Sequence, residues 1–143
     1  MEESSKQLLK ECDSGCKMAV ESMEQLLEYV KSDSLKEILS KYKQKHQEIQ
    51  DKAEDLLAQQ GEEGKEPSLP AEAFSWMTTK IKMSMYDDDR KIAEILMNGC
   101  NMGIQSICRV QNKHKDASKE SISLAENLVR TEEELQKELK AYL

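Results

Sequence analysis

Residues that favour strands and tight turns are scarce in this sequence. It contains five glycines, two prolines and one tryptophan, whereas charged side chains make up 34% of its residues. The sequence is rich in Lys, Glu, Leu, Gln and Ala, which have high helix propensity. The shortage of strand formers argues against a sheet-rich fold, and the composition predicts an all-α protein.

Long apolar runs are also missing. No segment reaches the length of about 20 apolar residues that crosses a bilayer, and the first five residues, Met-Glu-Glu-Ser-Ser, lack the basic start and apolar run of a signal peptide. We therefore expect a cytoplasmic protein with no membrane partner. The net charge of -7 opposes binding to phosphate backbones, so no nucleic-acid partner is expected either.

Cysteine is present at four positions in a chain of 143 residues. In a reducing compartment such cysteines are expected to be free thiols, because a helical domain of this length can bury a core without disulfide bonds. The length itself fits a single domain covering residues 1–143.

Four segments show apolar or small residues at alternating spacings of three and four, the pattern of an amphipathic helix. The first runs from Leu8 to Val30, the second from Leu35 to Leu57, the third from Ile92 to His114 and the fourth from Ile122 to Leu143. Their similar lengths, about 25 to 27 residues, are those expected for the helices of one bundle.

Polar residues and glycine mark several helix ends. Ser4 with Gln7 predicts a capping box at the start of helix one, and Ser34 with Glu37 predicts another at helix two. Gly61 is expected to end helix two. The turns of the two hairpins then fall at residues 32–33 and 116–118.

The connection between the hairpins is long. Residues 61–70 are polar, and residues 71–86 show the pattern of an amphipathic helix. Such a connection can return along the bundle, which makes helices two and three parallel and helices one and three antiparallel. We therefore predict hairpin 1 at about 5–60, a crossover at 61–87 that contains a short helix, and hairpin 2 at about 88–143.

The two hairpins are similar in sequence. Residues 14–23 and 98–107 align with four identities, including a shared Gly-Cys-x-Met, and the shift of 84 positions also pairs the flanking apolar residues. Small residues four apart allow two helices to approach closely. Helices one and three are therefore expected to cross at Gly15 and Ala19 of one and Gly99 and Gly103 of the other, with Cys16 near Cys100.

These features together resemble a known family. The crossover segment with Trp76, the acidic start of helix three and the Gly-Cys-x-Met-Gly-Ile stretch at 99–104 are similar to an uncharacterised bacterial domain of unknown function in the ferritin-like superfamily. The resemblance implies a ferritin-like four-helix bundle of two repeated helical hairpins, and it implies no established activity.

The usual ligands of a ferritin-like di-iron site are absent. Such sites use Glu-x-x-His, but Lys43 precedes His46 at the required spacing and Gln111 precedes His114. We predict no catalytic residue and no cofactor. His46 is expected to be partly exposed among lysines, and His114 to cap its helix or lie in the core. Residues 87–89, all Asp, are expected to cap backbone amides at the start of helix three.

Three cysteines are weak candidates for a metal or redox site. Cys12 and Cys16 share a helix face, and Cys100 was placed near Cys16 by the repeat. No Cys-x-x-Cys or nearby His completes a tetrahedral site, so core packing is the preferred interpretation.

A methionine-rich set of residues gives the best hint of function. We predict an exposed patch for self-association or a protein partner on the crossover, formed by Phe74, Trp76, Met77 and Met83. The favoured function is a non-enzymatic interaction or self-associating scaffold, with a homo-oligomer or a protein partner. The alternative is a metal-binding or thiol-redox protein that lacks the usual di-iron ligands.

Overall fold

A computed structural model describes residues 2–62 and 89–143, which form four α-helices and one short 3-10 helix and contain no strand. The helices are α1 (Glu2–Leu27), α2 (Asp33–Gln59), α3 (Asp89–Lys113) and α4 (Lys119–Leu139), followed by the 3-10 helix Lys140–Tyr142. The all-α prediction is confirmed. The predicted crossover helix, with Phe74, Trp76, Met77 and Met83, lies outside the described residues.

The helices form a four-helix bundle in which α1 and α4 are the most central. α1 packs against α2, α3 and α4, and α4 likewise packs against the other three. α2 and α3 lie on opposite sides of the α1 and α4 pair. This arrangement leaves α3 with neighbours on its inner side and an outer face that the other described helices do not cover.

Hydrogen bonds at the two ends of the bundle establish the direction of each helix. Near the start of α1, the Ser4 hydroxyl donates to Asp116 in the α3–α4 turn at 2.6 Å. At the other end, the Asp89 carboxylate accepts from the amides of Lys31 and Ser32 at 2.9 and 2.8 Å. α1 and α3 are therefore antiparallel and α2 and α3 are parallel, as the length of the connection predicted.

Helix ends were predicted with mixed success. Gly61, at φ 72°, follows α2 in a left-handed conformation, and the amides of Gly61 and Glu62 donate to the carbonyls of Ala58 and Leu57 at 3.0 and 2.9 Å. These two bonds form a Schellman motif, so glycine ends α2 as predicted.

Both predicted capping boxes are wrong. The hydroxyl of Ser32, not that of Ser34, accepts from the Leu35 amide and caps α2. α1 already begins at Glu2, so Ser4 lies inside it and bonds to the α3–α4 turn instead. At α2 a second serine, Ser32, provides the cap. At α1 the hydroxyl of Ser4 is bonded to a tertiary partner, Asp116.

The core consists of two apolar clusters arranged along the bundle. One cluster lies toward the α1–α2 turn and contains Tyr42, Leu96, Cys100 and Leu135. The other lies toward the α3–α4 turn and contains Cys12, Cys16, Ile49 and Leu128. The buried polar residues of the middle of the bundle, His46 and Glu132, lie between these two clusters.

Candidate functional site

A buried imidazole and carboxylate occupy the middle of the bundle. His46 of α2 is 0% exposed and Glu132 of α4 is 6% exposed. Each fills a gap in the apolar stripe of its own helix, His46 between Tyr42 and Ile49 and Glu132 between Leu128 and Leu135. The interpretation of His46 as a partly exposed residue was wrong, because the polar sequence around it hid its place in this stripe.

Both ring nitrogens of His46 face oxygen atoms. Nδ1 lies 2.6 Å from the backbone carbonyl oxygen of Tyr42, and Nε2 contacts Oε1 of Glu132. A carbonyl oxygen only accepts, so Nδ1 must carry a proton and donate it. When Nε2 is also protonated it donates to the carboxylate, and the imidazolium and carboxylate form an ion pair with no net charge.

The environment of this pair favours the protonated imidazole. Burial by itself lowers the pKa of His46, but the hydrogen bond and charge of Glu132 and the Tyr42 carbonyl outweigh it, and the pKa lies above its ordinary value of 6.5. His46 therefore holds its proton to a higher pH than an exposed histidine does.

Glu132 also contacts α3. A Cβ atom added to Gly103 would lie 3.2 Å from Oε2 of Glu132, so glycine makes room for the carboxylate at this point. Glu132 interacts with Cys100 as well. Burial raises the pKa of the Cys100 thiol, and the charge of Glu132 and its hydrogen bond raise that pKa further. The pair thus connects α2 and α4 and lies against α3.

The small residues do not form the helix crossing that the repeat predicted. Gly99 is exposed, and nothing lies within 4 Å of a Cβ added to it. The nearest atom to a Cβ on Gly15 is Cδ2 of Leu128, on α4, at 4.0 Å. Gly103 faces Glu132, and Ala19 packs at the edge of an apolar cluster. The prediction failed because equivalent positions in α1 and α3 have different neighbours, α1 being central and α3 peripheral.

The cysteines are free, and three of them are buried. Cys12 and Cys16 belong to one apolar cluster and Cys100 to the other. Burial raises the pKa of Cys12 to about 12 and raises that of Cys16 well above its ordinary value. These thiols therefore stay protonated at neutral pH and pack as small apolar side chains, which disfavours nucleophilic or redox chemistry at them.

No group of three or more His, Cys, Asp or Glu side chains within residues 2–62 and 89–143 is placed to hold a metal ion. Cys12, Cys16 and Cys100, the weak metal candidates of the sequence, are thus not gathered into such a group. His46 and Glu132 come together, but they bond to each other.

The other predicted polar residues lie at the ends of the bundle. His114 is half-buried just beyond α3, and its Nδ1 lies 3.2 Å from the Ser4 hydroxyl. Asp89 does accept from backbone amides, but they belong to the α1–α2 turn and not to its own helix. Asp87 and Asp88 lie outside the described residues.

A surface groove of about 270 Å³ runs between α2 and α4, and it is lined by Lys45, Glu48, Ile49, Lys52, Asn127, Thr131 and Glu134. Its polar groups are partly engaged with each other. Lys45 pairs with Glu134 at 3.4 Å, and the Thr131 hydroxyl donates to the Asn127 carbonyl at 2.8 Å. The groove is therefore mixed in charge, and its polar groups are not directed together at one ligand.

The outer face of α3 is the most unusual surface among the described helices. Residues 95–108 contain no Asp, Glu, Lys or Arg, in a chain where these make up 34% of residues. Part of this stretch is nevertheless exposed, including Asn98, Gly99, Asn101, Met102 and Gln105. Met102 is 50% exposed, one of two large apolar side chains so exposed in the described chain.

The sequence contains a signal for this face. The uncharged stretch at 95–108 includes positions on the outer side of the helix, where an amphipathic helix usually carries charged residues. Asn98, Asn101, Met102 and Gln105 recur at spacings of three and four, so they share one side of α3. We call these four residues the α3 outer stripe. The same stretch contains the second copy of the repeat, at residues 98–107, and the repeat alone does not indicate that its missing charges mark an exposed surface.

Comparison of the chain with protein-family models, curated proteins and solved structures gave no match. Among the described helices, none combines the length and apolar character that crossing a bilayer requires. The α3 outer stripe and the buried His46–Glu132 pair are thus the two features from which a function can be argued.

Proposed function

We propose that this protein is a non-enzymatic helical bundle that associates with further copies of itself through the α3 outer stripe. The observation that carries this proposal is the uncharged, exposed surface of α3 around Met102. Exposed apolar and amide side chains lose little on desolvation compared with charged ones, so such a surface is suited to a helix-to-helix contact.

The charge of the chain favours a second copy as the partner. A net charge of -7 makes two copies repel each other over most of their surfaces. Contact is least opposed where neither surface carries charge, and residues 95–108 provide such a region. A strongly basic or acidic partner would find no charged group on the stripe to bind.

Two finer properties of the fold belong to the same proposal. We propose that the bundle is of the ferritin-like type and arose from two repeated hairpins. The parallel order of α2 and α3 and the sequence similarity of residues 14–23 and 98–107 support it. Free, buried thiols are compatible with a cytoplasmic location.

The test compares two substitutions that add the same charge to exposed helix positions. Met102→Glu places a carboxylate in the α3 outer stripe, and Ser123→Glu places one on the exposed side of α4. In light scattering over a range of concentrations, we expect the wild type and Ser123→Glu to exceed the monomer mass and Met102→Glu to remain monomeric. A wild type that stays monomeric at high concentration, or two variants that behave alike, would overturn the proposal.

A further inference from the structure

The α3 outer stripe is bounded by opposite charges. Glu94 precedes it and Arg109 follows it, and both lie on the same side of the helix as the stripe. The two are equally far from the midpoint between Asn101 and Met102, at roughly 11 Å each along the helix axis. Glu94 is 40% exposed at its side chain, and Arg109 is exposed.

We infer that two copies pack α3 against α3 in antiparallel orientation, about a twofold axis that passes between Asn101 and Met102. This inference rests on the proposed self-association and adds its geometry. In a twofold antiparallel contact, each residue faces the one equally distant on the other side of the axis. Glu94 of each copy therefore faces Arg109 of the partner subunit, which forms two symmetric ion pairs.

The side chains between these charges fit the same arrangement. Asn98 faces Gln105 of the partner subunit, so two amides can donate to and accept from each other. Near the axis, Met102 and Asn101 lie on either side of the contact line, so each comes close to the same residue of the partner subunit.

A parallel contact would have the opposite electrostatics. It would place Glu94 against Glu94 of the partner subunit and Arg109 against Arg109 of the partner subunit, and like charges at close range are unfavourable. The antiparallel contact also has two symmetric like pairs, Arg90 of each copy facing Lys113 of the partner subunit, but these residues lie a turn further out, where crossing helices diverge. Arg90 is also paired with Glu94 of its own helix at 3.5 Å.

The size of the contact limits its strength. Typical stable interfaces bury about 1,200–2,000 Å² in total, and a contact made by one helix from each subunit is expected to bury less. We therefore expect a weak dimer that dissociates on dilution. Exposed ion pairs contribute little to affinity, but they determine orientation by opposing the wrong arrangement.

Charge reversal tests the orientation directly. Glu94→Arg and Arg109→Glu each replace two attractive pairs by two repulsive ones, and each should raise the dissociation constant of the dimer about tenfold or more. The double variant restores opposite charges across the twofold axis and should dimerise like the wild type. An equal mixture of the two single variants should form a heterodimer, because every pair is then attractive. Sedimentation equilibrium measures all four samples.

The outcomes separate this inference from the function on which it rests. A double variant that remains monomeric, or single variants that dimerise as well as the wild type, would overturn the antiparallel arrangement. If Met102→Glu still abolished association in that case, self-association through α3 would stand. A wild type without association would overturn both. Circular dichroism of each variant verifies the fold, which these exposed positions should not affect.

Discussion

Two glycines about one turn apart in α3, Gly99 and Gly103, differ in the effect expected when each is replaced by alanine. Gly99 faces open space, whereas Gly103 faces a buried carboxylate. Glycine inside a helix costs about 1 kcal/mol relative to alanine, because its backbone loses more freedom on folding. Only the surroundings of each position decide whether a methyl group recovers that cost.

We expect Gly99→Ala to raise the free energy of unfolding by up to about 1 kcal/mol and Gly103→Ala to lower it. The new methyl group at position 103 would lie 3.2 Å from Oε2 of Glu132, and the bond to His46 prevents that carboxylate from moving away freely. Urea unfolding measures both, with Met102→Glu in the background so that association does not contribute. A Gly103→Ala variant as stable as Gly99→Ala would contradict this account of Glu132.

The His46–Glu132 pair makes stability depend on pH. The pKa of His46 in the folded protein is above its ordinary value of 6.5, so its contribution is complete below about 6.5 and is lost as the pH rises through the folded-state pKa. Above that value, deprotonated Nε2 and the carboxylate would face each other as two buried acceptors. We expect the midpoint of urea unfolding to fall as the pH rises from neutral to alkaline.

The variant Glu132→Gln tests this cause. The amide of Gln can donate to Nε2 of a neutral imidazole, so the variant should remain folded and lose most of the pH dependence at neutral to alkaline pH. His114→Gln is the matched control, because it removes the other histidine, at the far end of the bundle. In NMR spectra, the imidazole signal that titrates above pH 6.5 should disappear in His46→Gln. A wild-type pH dependence retained in Glu132→Gln would rule out the pair as its source.

At the scale of single elements, the helices themselves were the best predicted feature. Apolar residues at alternating spacings of three and four identified all four, because this spacing follows from helix geometry alone. Their caps were predicted less well. At the start of α2, Ser32 and Ser34 both lie within reach of the first amides, and the choice depends on tertiary partners such as Tyr142, which shares a hydrogen bond with Ser34 at 2.5 Å.

The glycine that ends α2 can be tested in the same way. At φ 72°, Gly61 adopts a conformation that costs an L-residue about 1–2 kcal/mol. Gly61→Ala should therefore lower the free energy of unfolding by about that amount, and Gly61→Asn by less, since Asn tolerates the left-handed region better. Nothing lies within 4 Å of an added Cβ, so a loss in both variants would report backbone strain alone.

The residues of the candidate site could be predicted only in part, because their surroundings depend on neighbours from other helices. His46 and Glu132 each occupy a gap in an apolar stripe, and such paired gaps are visible in the sequence. That the two gaps face each other depends on how α2 and α4 align. Gly15 and Gly99 occupy equivalent positions of the repeat, but sequence similarity could not reveal that α1 is central and α3 peripheral.

At the scale of the whole molecule, the chain direction followed from the length of one connection. A short connection after α2 would have made α3 antiparallel to it, whereas the residues between 62 and 89 are numerous enough to return along the bundle. One described end of this connection contacts α1, and the other contacts the turn that follows it. Glu62 pairs with Lys6 and Lys10 at 3.4 and 3.2 Å, and Asp89 binds the turn that follows α1.

The charge distribution of the whole molecule determines how copies can meet. A chain with a net charge of -7 has few places where a second copy can approach without repulsion. The stretch from 95 to 108 is such a place, and it lies on a helix whose outer side the other described helices leave open. The assembly proposed above follows from this combination of charge and position.

The hydrogen bonds of Ser4 and Tyr142 lie at opposite ends of the bundle, one at the α3–α4 turn and the other at the start of α2. The first and last described helical residues are therefore separated by the length of a helix, about 40 Å for the 27 residues of α2. In two copies fused in tandem, the linker would therefore join opposite ends of the two bundles. A circular permutant would instead need a linker long enough to return along the full bundle.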